Sequence, residues 1–92
     1  MIERPRPQFT AWISKYALSE GIYSREVEQC VDVNPSMVRT LGTGFQHFHG
    51  EGVEWHRTRE GAVERAHVVR ENKIASLKRQ IQKLDKLTFA DT

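Results

Sequence analysis

The chain has 92 residues, and its 14 lysines and arginines outnumber its 12 aspartates and glutamates, which gives a formal net charge of +2 at pH 7. A chain of this length forms one domain and buries only about 60–65% of the surface that its unfolded form exposes, so little core is left for a deep active-site cleft. The weak positive charge does not by itself indicate a nucleic-acid-binding protein.

Cysteine content and hydropathy limit the cellular compartment. The single cysteine, Cys30, cannot form an internal disulfide, which suits a reducing cytoplasm. No apolar run approaches the ~20 residues that span a membrane, and the first residues lack the apolar stretch of a signal peptide. We therefore expect a cytoplasmic protein that does not insert into a membrane.

The first eight residues, MIERPRPQ, contain two prolines and two arginines. Proline removes backbone donors and favours an extended, loosely held chain. Residues 1–8 are therefore predicted to form a flexible basic arm, charged through Arg4 and Arg6, ahead of a single domain at residues 9–89.

Residues 9–57 have the aromatic and β-branched composition of antiparallel strands. FTAWISKYAL, from residue 9, and IYSREVEQCVDV, from residue 22, predict a hairpin closed at residues 19–21, where Gly21 is free to take a positive φ. Period-two alternation in the second segment is typical of a strand with one face in solvent.

A second hairpin is predicted around the GTG at residues 42–44, between the short apolar runs MVRTL and FQHFH. GEG at residues 50–52 turns the chain again, and VEWHR at residues 53–57 alternates apolar and polar side chains. The sheet region is therefore expected to hold four or five short antiparallel strands in meander order.

The last third of the chain is predicted to be one long helix over residues 58–88. From residue 59 to 87 there is no proline, helix formers dominate, and Thr58 is a suitable N-cap. Twenty-nine helical residues span about 43 Å, which is longer than short strands can cover. The predicted fold class is α+β, a four- to five-stranded antiparallel meander sheet followed by one long C-terminal helix.

The two halves of this helix carry different side chains. The first half has small residues such as Ala62 and Ala66, which predict close packing on the sheet. The second half has an a/d seam of two heptads, formed by Ile74, Leu77, Ile81 and Leu84.

Two interpretations of the seam remain open. In the first, the seam packs within its own chain, either over the core or by folding back. In the second, the seam projects from the domain and pairs with another helix. In a parallel homodimer Lys73 would face Lys78 of the partner, which is repulsive, whereas an antiparallel pair or a bundle with another protein avoids that clash. Homo-oligomerisation through the helix is therefore a hypothesis.

The segment HFHGEGVEWHRT, residues 47–58, contains three histidines, and histidine is a common metal ligand. His47 and His49 share one face of a strand, and His56 or Cys30 could join them, but His-x-His alone is a weak zinc signal. With Phe48 between them and packed inside, the two histidines would point outward. We expect no metal site and no cofactor.

Catalysis is not indicated by this segment either. A general base such as His56 needs an orienting neighbour and a dry pocket, whereas GEG has the composition of a solvent-exposed turn. We predict no catalytic residues and a structural role for the segment. The residues assigned structural roles, together with the hairpin glycine, are Gly21, Gly50, Gly52, Trp55 and Thr58.

The segments KYALSEGI (15–22), FHGEGVEWHRTREGAVERA (48–66) and KIASLKRQIQKLDKLTF (73–89) resemble a widespread group of small proteins carried by bacteriophages and prophages. The resemblance implies a phage context in a bacterial cytoplasm and a host or phage macromolecule as partner. It supplies no active-site residues. By analogy with other small phage proteins, it favours an inhibitor of host defence, as anti-CRISPR proteins are, or of nucleic-acid machinery.

Three classes of function follow from these observations. The first is a non-enzymatic protein that binds a host or phage protein. The second is a small nucleic-acid-binding module, since basic residues neutralise phosphates. An enzyme is the least favoured. The basic helix residues that would contact nucleic acid are Lys73, Lys78, Arg79, Lys83 and Lys86.

Overall fold

A computed structural model describes residues 5–42 and 44–89. It contains five strands and two helices, and the predicted α+β arrangement of an antiparallel sheet followed by one long helix is confirmed. The elements in chain order are β1 (Gln8–Ile13), α1 (Ala17–Glu20), β2 (Tyr23–Gln29), β3 (Met37–Thr40), β4 (His47–His49), β5 (Trp55–His56) and α2 (Arg59–Asp85).

The sheet has the strand order β4-β3-β2-β1-β5. The first four strands form the predicted meander, but β5 pairs with β1 at the edge opposite β4, with Trp55 opposite Ile13 and His56 opposite Trp12. This differs from a simple meander, in which β5 would lie beside β4. The chain between β4 and β5 must therefore cross from one edge of the sheet to the other.

The connection between β1 and β2 is a helical turn. The strands pair from Gln8 opposite Glu28 to Ile13 opposite Tyr23, so the predicted hairpin partners are correct. However, β1 ends at Ile13, and the residues after it form the one-turn helix α1, because alanine, leucine and glutamate there favour helix over strand. Gly21, with φ of 77°, lets the chain leave α1.

Residues 5–8 are not the loose arm that the sequence predicts. The carbonyl of Pro7 accepts a hydrogen bond from the Gln29 amide at 2.8 Å, and the Arg6 guanidinium binds both carboxylate oxygens of Asp32, at 2.7 and 3.0 Å. The hydrogen bond from the Arg6 side chain lowers the pKa of Asp32. Proline is tolerated beside a strand because its carbonyl still accepts. The first four residues, with Arg4, lie outside the described residues.

One face of the sheet holds the core, and Trp55 crosses it. The indole Nε1 donates to the carbonyl of Ser36 at 2.8 Å, and the same carbonyl accepts from the Gly50 amide at 2.8 Å. Gly50 has φ of 92°, and a Cβ there would lie 3.3 Å from the Val53 Cβ, so the predicted turn residue is required. The buried core cluster is Ala11, Ile13, Val27, Val38, Phe48 and Trp55.

The long helix α2 is continuous through Asn72 and begins at the end of the sheet. Its first half contacts α1, β5 and β1 instead of covering the sheet face, and Ala62 is its buried residue. The reason is that Trp55 already fills the core face, and only two residues separate β5 from α2. The described residues accordingly extend 76 Å along one axis and 26 and 22 Å across.

The helix begins at the N-cap Thr58, whose side chain accepts a hydrogen bond from the Gly61 amide at 3.1 Å. We expect Thr58→Ala to lower the free energy of unfolding by about 1 kcal/mol, because that amide loses its partner. Chemical denaturation measures this loss. Thr58→Ser keeps the hydroxyl and should unfold like the wild type; equal losses in both variants would show that the methyl group matters and the cap does not.

Candidate interaction surface

The histidines of the HFHGEGVEWHRT segment lie at opposite edges of the sheet. On β4, Phe48 is buried while His47 and His49 are exposed, which is the predicted alternation. His56 is buried on β5, at the far edge. Among the described residues there is no group of three or more histidine, cysteine or acidic side chains that could hold a metal ion.

The structure brings His56 next to Ser14, a residue that sequence analysis missed. The His56 Nε2 lies 2.8 Å from the Ser14 hydroxyl oxygen, which is also 2.8 Å from the carbonyl oxygen of Val53. A hydroxyl has one proton, so Ser14 donates to Val53 and accepts from His56. Forty-two positions separate the two side chains in sequence, and only the β1–β5 pairing brings them together.

Serine beside histidine suggests nucleophilic catalysis, but this pair is enclosed. Ser14 is 3% exposed and His56 is 6% exposed, so no substrate reaches the hydroxyl in this arrangement. A Cβ at Gly61 would lie 3.4 Å from the His56 Nδ1, which shows that the start of α2 packs against the ring. The Ser14–His56 pair therefore connects the ends of β1 and β5 to the beginning of α2.

The environment of His56 favours its neutral form. Burial lowers its pKa, the positive charge of Arg65 lowers it further, and Glu51 raises it to a smaller extent. Between the ordinary value of about 6.5 and the lower folded-state pKa, the unfolded chain binds a proton that the folded chain does not. The free energy of unfolding should therefore fall as the pH decreases through that window.

We expect His56→Gln to remove this pH dependence, since the amide does not titrate. Denaturation at several pH values at and below 6.5 measures the slope of the free energy of unfolding against pH. His47→Gln changes an exposed histidine and should keep the wild-type slope. A wild-type slope in His56→Gln would show that another group titrates in the window.

The second half of α2 carries four exposed aliphatic side chains in one line, which we call the apolar stripe. Their exposed fractions rise from 39% and 43% to 56% and 66% along the helix. At about 100° per residue all four lie on one side of α2. The stripe is the predicted seam, formed by Ile74, Leu77, Ile81 and Leu84.

A groove between α1 and α2 continues the stripe toward the sheet. The groove has a volume of about 260 Å³. The sequence analysis did not predict this groove, because it did not predict α1. On the α2 wall, Val63, His67 and Arg70 precede Ile74 at spacings of four, three and four, so they share the side of the stripe. The groove is lined by Ala17, Leu18, Ile22, Val63, Ala66, His67 and Arg70.

The basic residues of α2 do not form a single face. At about 100° per residue, Lys73 and Lys78 lie on either side of the stripe, whereas Arg79 and Lys83 lie on the far side of the helix. Lys86 is the C-cap. All five predicted nucleic-acid contacts are exposed, but they are spread around the helix axis.

Comparisons of this chain with protein-family models, with curated proteins and with solved structures found no match. Neither helix in the described part of the chain is long and apolar enough to cross a membrane. The resemblance to phage-encoded proteins stays a prediction.

Proposed function

We propose that the protein is a non-enzymatic binding protein that pairs with a helix along its apolar stripe. The observation that carries the proposal is the 39–66% exposure of four aliphatic side chains on a continuous helix. Aliphatic residues at a/d spacing are the pattern by which two helices pack knobs into holes. Covering the exposed part of each side chain is worth about 1 kcal/mol, since full burial is worth about 1.5–3 kcal/mol.

The stability of the helix itself supports pairing. Isolated helices shorter than about 12–15 residues are marginal in water, and most helical stability in proteins comes from packing of an apolar face. From Lys73 to Asp85, the side chain of Ser76 is partly buried and the others are exposed. A partner helix on the stripe supplies the packing that this half does not obtain from its own sheet.

The non-enzymatic part of the proposal rests on accessibility. Ser14 and His56 are the pair nearest to a catalytic arrangement, and both are buried. His47 and His49 lie on an exposed strand edge, away from the groove. The phage resemblance implies that the partner is a host or phage macromolecule, and inhibition of host defence remains part of the proposal.

A triple substitution of the stripe tests the proposal. Leu77→Ser, Ile81→Ser and Leu84→Ser together should abolish capture of partner proteins from bacterial lysate, including a differently tagged second copy of this chain. In dilute, unpaired protein the free energy of unfolding should change little, because the three side chains are already exposed.

A matched control changes Asn72, Ala75 and Gln82 to serine, which adds the same number of serines away from the stripe. This control should retain capture. Equal capture by the wild type and both triple variants would contradict the proposal.

Nucleic-acid binding through α2 is the alternative, and low salt is where such contacts are strongest. We expect no mobility shift of labelled DNA or RNA at low salt. A shift that is lost in Arg79→Ala, Lys83→Ala, Lys86→Ala but kept in the stripe variant would favour the alternative.

A further inference from the structure

We propose that the helix on the apolar stripe is α2 of a second copy of this chain, running antiparallel, so that the stripe of each copy lies against the groove of the other. This inference rests on the proposed function and names its partner. Three observations support it: the groove and stripe form one face, the charges of the two halves of α2 differ, and the groove has an exposed apolar wall.

The first observation is the length of the shared face. The stripe alone spans two heptads, fewer than the three or four that make a stable coiled coil. When the groove positions from Val63 onward are included, a/d spacing continues through Leu84 over about three heptads, with the polar side chains of His67 and Arg70 at two of the seven positions. An antiparallel copy centred between Ile74 and Leu77 covers this face from His67 to Leu84.

The second observation is charge. The half from Lys73 to Asp85 has four basic residues and one acidic residue, a net charge of +3, whereas the half from Arg59 to Asn72 has three of each. A parallel pair brings the two +3 halves together. In the antiparallel register each +3 half lies beside residues 66–78 of the second copy, which carry three basic residues and one acidic residue, a smaller net charge of +2.

Individual contacts favour the same direction. A parallel pair places Arg70 against Arg70 and Lys73 against Lys78 of the second copy, because its layers join equivalent positions. The antiparallel register instead places Glu71 beside Lys78 of the second copy. It also brings Glu64 near Asp85 of the second copy, a like-charge approach in solvent at the end of the pair.

The third observation is the wall of the groove that α1 forms. Leu18 is 52% exposed there, although it is a large aliphatic side chain beside an open groove of about 260 Å³. In the antiparallel register, Leu84 of the second copy lies opposite His67, which lines the groove. This leucine, 66% exposed in the single chain, enters the groove.

Disulfide cross-linking tests the direction and the register. His67→Cys and Leu84→Cys are prepared separately with different tags, mixed in equal amounts and oxidised with oxidised glutathione. Each cross-link forms when two thiols lose their protons and two electrons to glutathione disulfide, which is reduced to two glutathione thiols. The wild type, whose Cys30 is buried, is the control and should remain uncross-linked.

The antiparallel pair predicts a mixed disulfide between the two variants and none in Leu84→Cys alone. In that register, position 84 of one copy lies level with position 67 of the other. The two position-84 residues are therefore 17 residues apart along the helices, a distance of about 25 Å. A disulfide dimer of Leu84→Cys alone would overturn the antiparallel arrangement in favour of a parallel one.

A charge reversal gives a second, independent readout. Asp85→Lys replaces the like-charge approach to Glu64 by an attraction and should tighten self-association several-fold in sedimentation equilibrium. In a parallel pair it adds charge to the +3 halves, so weaker association would contradict the inference.

A single monomeric species at high micromolar concentration, with no mixed disulfide, would overturn self-pairing. If the stripe triple variant still lost a captured partner in that case, the proposed function would stand with another protein as the occupant.

Discussion

The pairing of β5 with β1 determines where α2 begins and which of its side chains remain uncovered. The crossing from β4 brings Trp55 over the core face, and the Ser14–His56 hydrogen bond joins the two strands at the sheet's end. Two residues later α2 starts, with a core face already filled beneath it. The helix must therefore leave the sheet after its first turns, held there chiefly through Ala62 and its contacts with α1.

This placement separates the buried core from an exposed apolar surface within one small chain. The sheet and the start of α2 hold the buried residues, whereas the apolar stripe contributes little to the core and is free to contact another molecule. A helix that covered its own sheet would have no such surface. The groove beside α1 extends the surface toward the sheet, so a partner lying on the stripe also contacts the folded body of the protein.

Local patterns in the sequence predicted the elements, whereas distant pairings decided their arrangement. Alternation around Phe48 and the proline-free segment after Thr58, in which helix formers dominate, are short-range signals, and the structure follows them. The position of β5, the Ser14–His56 pair and the groove depend on contacts between residues far apart in sequence, which no local period reveals. The a/d spacing in the sequence predicted the seam, but the exposure of its side chains follows only from the position of β5.

Amide hydrogen exchange along α2, measured as a function of protein concentration, tests most directly whether the stripe is uncovered in the single chain and covered by a partner helix. In dilute protein we expect the amides from Lys73 to Asp85 to exchange much faster than those near Ala62, because no tertiary packing protects them. Their exchange should slow as the protein concentration rises. Protection of residues 73–85 in the dilute monomer equal to that of the sheet would contradict it.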